Sequence, residues 1–190
     1  MGTDVAAVRR IAAEATMTGL AMLQESGMLD PLVLLVRDGR TVAAVRVEFD
    51  DGPSSRERCY AGVAEVAGVL RAEGAVLLND AVMNRASEVR PLDDPAATNC
   101  LVVTMLLRDC AATAVVPYQV ADGGRIVPCL DLGAEISQMA TMPWWSTQIA
   151  TALADGPDGP PEGTGEKVET GLRAVMVRYS PHIRSVAVRG

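Results

Sequence analysis

Aromatic side chains and lysine are scarce in this chain of 190 residues: 3% of the residues are aromatic, and Lys167 is the single lysine. Because 49% of the residues are nevertheless apolar, the core has to be built from Val, Leu, Ala and Met. Such a core needs no metal or disulfide to close it. Arginine in place of lysine, with heavy use of Ala and Val, is typical of high-GC genomes and predicts a bacterial or phage origin.

Positive charge is also in short supply, since the net charge at pH 7 is −7. Surfaces that bind nucleic acids carry a basic stripe that neutralises phosphates, so the composition argues against general nucleic-acid binding. The longest apolar runs, such as Leu32–Val36, fall far short of the roughly 20 residues that span a bilayer. Asp4 and Glu14 interrupt the N-terminal stretch, where a secretory signal would be apolar. We therefore expect a soluble, cytoplasmic protein without membrane insertion.

The usual zinc ligands are missing as well. His182 is the only histidine, and the cysteines contain no Cys-x-x-Cys pair. A zinc site requires about four ligands at characteristic spacings. We expect buried, unpaired thiols and no cofactor. The four cysteines are Cys59, Cys100, Cys110 and Cys129.

The first part of the chain predicts a helix, a hairpin, a second helix and a strand. Apolar residues recur at helical spacing over residues 4–25. Asp38-Gly39 between two apolar runs is a strong hairpin signal, because both positions tolerate positive φ. Ser54 and Glu57 have the spacing of a capping box, which predicts the start of the second helix. Gly74 is expected to end that helix before the strand begins.

The central part of the chain predicts a three-stranded meander over residues 99–107, 112–120 and 125–132. If residues 121–124 form a four-residue turn, Pro117 faces Pro128. Proline has no N–H to donate to a ladder, so we expect this hairpin to bend, bulge or leave the sheet near the two prolines. The residues that follow, 133–154, are expected to form two helical pieces.

These elements predict an α/β fold of the α+β type, with a mixed, mostly antiparallel sheet of about six strands. Helices are expected before, within and after that sheet. Residues 1–154 are predicted to form a single core domain. Residues 155–166 are rich in Gly and Pro and predict a flexible loop. Residues 167–190 are predicted to form a C-terminal helix and strand that pack on the core.

A change from apolar to charged residues marks the first candidate site. The apolar run of residues 75–78 leads into the polar segment 79–94, and ligand sites in α/β folds often lie where strands end. Carboxylates there can hold Mg²⁺ together with water and substrate phosphates, which is the chemistry of a metal-dependent hydrolase or phosphoryl-transfer enzyme. The candidate catalytic residues are Asp80, Asn84, Arg85 and Arg90, and the candidate metal ligands are Asp80, Asp93 and Asp94.

Each of these residues also has an ordinary structural interpretation. Asp93 and Asp94 lie beside prolines, where acidic residues commonly begin turns, and Asp80 alternatively forms a salt bridge with Arg85. His182 is a further catalytic candidate, because serine and cysteine hydrolases need a histidine base. No Gly-x-Ser-x-Gly motif supplies a nucleophile for it, and the alternative is a surface histidine that titrates near neutral pH.

Both tryptophans and two of the nine methionines fall within residues 139–145. Adaptable Met and anchoring Trp are typical of protein-binding surfaces, although at helical spacing they are also ordinary core residues. The sequence therefore predicts a non-enzymatic binding or assembly protein, whose partner is another protein or a second copy of itself. The predicted partner-binding residues are Met139, Met142, Trp144 and Trp145.

Overall fold

Four α-helices and eight strands make up the part of the chain that a computed structural model describes. The described residues are 5–49, 52–83, 97–107, 111–129, 135–138, 147–155 and 165–189. The helices are α1 (Val5–Ser26), α2 (Pro53–Leu70), α3 (Thr147–Asp155) and α4 (Gly165–Arg178). The strands are β1 (Leu32–Arg37), β2 (Arg40–Val47), β3 (Gly74–Met83), β4 (Thr98–Leu107), β5 (Ala111–Ala121), β6 (Arg125–Pro128), β7 (Glu135–Gln138) and β8 (Ile183–Val188).

All eight strands belong to one sheet, in the order β6–β5–β4–β3–β1–β2–β8, and β7 pairs with β5. Every pairing between the described strands is antiparallel. This confirms the predicted α+β fold with helices around a largely antiparallel sheet. The predicted count of about six strands was too low, because β7 lies in a segment for which we expected a helix and because the C-terminal strand β8 joins the sheet beside β2.

Helices cover both faces of the sheet. Because successive side chains of a strand point to opposite faces, β1 places Leu32 and Leu34 on one face and Val33 and Leu35 on the other. Helix α1 packs on the side of Leu32, which we call the α1 face. Helices α2, α3 and α4 contribute to the core on the side of Val33, the α2 face. A strand covered on both sides explains the uninterrupted apolar run in the sequence.

Helix α1 lies close to the sheet because small residues occupy the middle of its inner side. Ile11, Ala15, Gly19 and Leu23 recur every four residues, and all are buried. A Cβ atom on Gly19 would lie 2.9 Å from Cδ2 of Leu101 in β4. At the present distance between this helix and the sheet, any side chain at position 19 would require Leu101 and Leu78 to shift.

The β1–β2 turn confirms the hairpin prediction, whereas both ends of α2 differ from it. Asp38 and Gly39 have φ values of 51° and 67°, as the turn requires. Helix α2 begins at Pro53 after an N-cap at Gly52, with no capping bond from a side chain. Proline suits this first position because its missing N–H would have no partner there. The last helical residue is Leu70, and the C-cap residue Arg71 takes the left-handed conformation that glycine usually adopts there. Gly74 begins β3.

The two prolines of the β5–β6 hairpin do not face each other, contrary to prediction. The turn comprises Asp122–Gly124 and is one residue shorter than expected, so Pro128 lies opposite Tyr118. Pro117 lies opposite Cys100 of β4, and its carbonyl accepts a 2.8 Å bond from the N–H of Cys129. The missing N–H of Pro117 therefore falls on the Cys129 side. For this reason the β4–β5 ladder continues past Pro117, while β6 ends at Pro128.

Strand β7 occupies the same edge of β5 farther along, where Glu135 pairs with Val115 and Gln138 with Ala112. If the register of β6 against β5 continued without interruption, Glu135 would lie opposite Ala111. Its observed partner, Val115, is four residues from Ala111, so the two registers are offset. The expected helix over this part of residues 133–154 was therefore wrong for residues 135–138. The second expected piece is present as α3, in which Ile149 and Leu153 are fully buried.

We expect a large side chain at position 19 to disrupt the contact between α1 and the sheet. Gly19→Leu should lower the free energy of unfolding by about 1–3 kcal/mol, because Leu78 and Leu101 would have to move. Gly68→Leu is the matched control. Gly68 is exposed in α2 with open space around it, so its replacement should stabilise by about 0.5–1 kcal/mol. Urea denaturation measures both, and equal effects at the two positions would contradict the packing argument.

Candidate functional site

Asp80 and Tyr118 meet near one end of the sheet, across the intervening strand β4. Asp80 follows Val76 and Leu78 on the α1 face of β3, and Tyr118 belongs to the core on the same face. The Tyr118 hydroxyl donates a 2.7 Å hydrogen bond to Oδ1 of Asp80. Tyr118 is only 4% exposed, whereas Asp80 is exposed. The pair thus joins the core to the polar end of β3.

The environment of Tyr118 keeps its phenol protonated. Burial raises the pKa of the Tyr118 hydroxyl above its usual range, and the hydrogen bond to Asp80 raises it further. A protonated phenol is a hydrogen-bond donor for the carboxylate. The most direct role of Asp80 in this geometry is to accept the hydroxyl of a buried tyrosine, which would otherwise lack a partner in the core.

Among the described cysteines, neither of the two that are buried has the environment of a reactive thiol. Burial raises the pKa of the Cys59 thiol to about 12. The pKa of Cys100 is also raised, first by burial and then by the charges of Asp80 and Cys129. Nucleophilic cysteines need a lowered pKa, because the thiolate is the reactive form. Cys59 and Cys100 are buried free thiols, as predicted, whereas Cys129 is a free thiol that is only half-buried. Cys110 lies outside the described residues.

His182 connects the end of β2, the first turn of α2 and the start of β8 rather than forming a catalytic triad. Its Nδ1 atom lies 3.2 Å from the backbone oxygen of Glu48 and 3.5 Å from Oγ of Ser55. In a serine hydrolase the hydroxyl meets Nε2, and Nδ1 binds a carboxylate. Here the hydroxyl and the carbonyl share Nδ1, so an Nδ1–H donates to Glu48. The Glu48 N–H in turn donates to the His182 carbonyl at 2.9 Å, which ties the end of β2 to the start of β8.

Most of the residues singled out from the sequence lie outside the described part of the chain. Among the described ones, no three His, Cys, Asp or Glu side chains form a group suited to a metal. The residues that cannot be placed are Asn84, Arg85, Arg90, Asp93 and Asp94 of the polar segment, and Met139, Met142, Trp144 and Trp145 of the proposed partner surface. The alternative salt bridge from Asp80 to Arg85 therefore stays a prediction.

The partner of Asp80 was not predicted from the sequence. Tyr118 is 38 residues away from Asp80, and only the combined registers of β3–β4 and β4–β5 bring the two together. The contacts of His182 with Glu48 and Ser55 were likewise missed, since no spacing in the sequence relates these three residues.

Comparison of the chain with models of protein families, with curated proteins and with solved structures gave no match. None of the described helices is long and apolar enough to cross a membrane.

We expect the contribution of Tyr118 to stability to disappear at alkaline pH. Its pKa is raised in the folded state, so the contribution is fully present below about pH 10, the ordinary pKa of tyrosine. Above that pH the unfolded chain loses the proton first, and stability falls as the pH rises. The difference in free energy of unfolding between the wild type and Tyr118→Phe should therefore shrink above about pH 10.

Urea denaturation at a series of pH values from neutral to alkaline measures this difference. Other buried groups that lose a proton at alkaline pH, such as the Cys59 thiol and the Tyr60 hydroxyl, are present in both proteins. The difference between the two proteins therefore reports the contribution of the Tyr118 hydroxyl. A difference that stays constant through the alkaline range would show that the hydroxyl of Tyr118 is not coupled to folding.

Proposed function

We propose that this protein is a non-enzymatic binding or assembly protein that acts through protein–protein contacts. The observation that carries the proposal is the exposure of valines on both faces of the β5–β6 hairpin. Val120, on the α1 face, is 56% exposed, and Val127, on the α2 face, is 38% exposed. Exposed apolar side chains that lie close together in the chain are candidates for contact surfaces, and these two belong to one short hairpin.

The surroundings of the two valines have the composition of such a surface. The exposed neighbours of the valines are one neutral polar residue, one acidic residue and one basic residue: Gln119, Asp122 and Arg125. Polar and charged neighbours favour a specific contact at either valine, because they penalise partners with mismatched charges.

The segment with both tryptophans is the second proposed contact region. The described residues on either side of it are Gln138, which pairs with Ala112 of β5, and Thr147, the first residue of α3. Trp and Met supply much of the binding energy in protein interfaces. We assign Met139, Met142, Trp144 and Trp145 to contacts with the partner, and a second copy of this chain is the first partner to test.

Bonds within the fold favour a structural role over catalysis for the described candidate residues. Asp80 accepts the hydroxyl of Tyr118, and His182 bonds to a backbone oxygen through Nδ1. Each of these contacts explains the position of its side chain without a substrate.

Size-exclusion chromatography with light scattering tests self-association. The wild type is expected to be an oligomer, and Trp144→Ala and the double variant Val120→Ser/Val127→Ser should shift it towards the monomer. If each contact is worth about 1.4 kcal/mol, its loss weakens association about tenfold. Val177→Ser is the matched control, because Val177 is 76% exposed on α4 and outside the proposed surface. A monomeric wild type at all concentrations would refute self-association.

The second candidate function is metal-dependent hydrolysis or phosphoryl transfer around Asp80. One observation favours it: the Asp80 carboxylate is exposed at the polar end of β3, and its bond to Tyr118 fixes its orientation. A carboxylate held in place is suited to bind a hydrated cation.

A thermal-shift screen with Mg²⁺, Mn²⁺ and nucleotides tests this second function. An ion that binds only the folded state raises the melting temperature, and the rise grows with the logarithm of the ion concentration once that concentration exceeds Kd. The rise should be absent in Asp80→Asn, which keeps an oxygen for Tyr118 but removes the charge. No rise with any of these ligands, or an equal rise in wild type and variant, would count against a metal site at Asp80.

A further inference from the structure

Strand β6 is an edge of the sheet in the described part of the chain, where β5 is its only neighbouring strand. The N–H of Cys129 donates to the Pro117 carbonyl of β5. In an antiparallel ladder the direction of the backbone groups alternates from one residue to the next. The N–H of Val127 therefore also points to β5, whereas the backbone groups of Ile126 and Pro128 point away from it.

Both of these outward positions lack a free donor. The N–H of Ile126 donates a 2.8 Å hydrogen bond to the side-chain oxygen Oε1 of Gln24, in the last turn of α1. Pro128 has no N–H. Ile126 is itself buried in the core on the α1 face, which holds its backbone within reach of α1. Along its four residues, β6 therefore offers only carbonyl acceptors to an incoming strand.

We propose that Gln24 and Pro128 together close the β6 edge against pairing with a strand of a second copy of this chain. An added antiparallel strand exchanges two hydrogen bonds at each closely spaced pair. At Ile126 the added strand would have to displace Gln24. At Pro128 a carbonyl of the added strand would remain unpaired, because proline has no N–H to donate. An unpaired buried carbonyl is costly, and native proteins protect edge strands by such means.

This protection requires only the fold and does not depend on the proposed binding function. It specifies how the β5–β6 hairpin meets other molecules. Contacts there use side chains such as Val120 and Val127, and the backbone of β6 is excluded from them.

Amide hydrogen exchange at Ile126 tests the role of Gln24. Gln24→Met keeps the length of the side chain but removes the acceptor, and it should speed exchange of the Ile126 amide about tenfold. Gln24→Glu keeps an acceptor and should leave the rate within about twofold of the wild type. The amide of Val127, which is bonded to β5, should exchange at the same rate in all three proteins. An unchanged rate at Ile126 in Gln24→Met would overturn the proposal.

Self-association tests the closure of the edge itself. The double variant Gln24→Met/Pro128→Thr presents two free donors and should form larger species than the wild type as its concentration rises, by light scattering. Gln24→Glu/Pro128→Thr is the matched control, because position 126 stays occupied, and it should keep the mass of the wild type.

A folded Gln24→Met/Pro128→Thr protein with the mass of the wild type at every concentration would overturn the closure. If this double variant does not fold, the exchange rate of the Ile126 amide in the single variant Gln24→Met tests the proposal instead.

Discussion

Strands β3, β1 and β4 carry apolar side chains on both faces, and a layer of helices shields each of these faces from water. With a single phenylalanine in the chain, the core is filled by aliphatic side chains that have little reach. The helices must therefore approach closely, and the inner side of α1 meets this requirement with Ala15 and Gly19. Close packing of short side chains, which gain from dispersion and from removal of apolar area from water, is the constraint on which the rest of the fold depends.

The end of the sheet that holds Asp80 shows how the core gives way to polar surface. Along β3 the α1 face passes from Val76 and Leu78, both buried, to an exposed carboxylate two residues later. Tyr118 bridges this boundary, since its ring lies in the core and its hydroxyl reaches Asp80. A tyrosine is suited to this position because it has an apolar body and a polar tip.

Local patterns were sufficient to predict much of the fold. Asp38-Gly39 specified a hairpin because both residues tolerate the required φ values, and alternation or continuous apolar runs located most strands. The ends of α2 were mispredicted because local signals competed. Pro53 began the helix one residue before the capping-box pattern, and Arg71 took the left-handed conformation three residues before Gly74. The four residues of β7 are too few to show the alternation that predicts a strand, and the strand forms by pairing with β5.

The candidate site was less predictable, for a related reason. The sequence singled out Asp80 and His182 as polar groups with chemical potential, but their roles depend on neighbours that only the tertiary structure supplies. Tyr118 reaches Asp80 through the registers of two successive ladders. Glu48 and Ser55 meet His182 because β2, α2 and β8 converge. Contacts of this kind leave no periodicity or spacing in a single sequence.

The offset between β6 and β7 has a consequence for how this protein tolerates change in its length. The two strands pair with separate stretches of β5, and neither register is transmitted to the other. Adding residues between Cys129 and Glu135 would therefore leave both ladders intact, at a small entropic cost for the longer connection. Evolution and protein engineering can both use this edge to accommodate an insertion, whereas β4 offers no such freedom, because it pairs with β3 along its whole length and with β5 from Asn99 to Leu106.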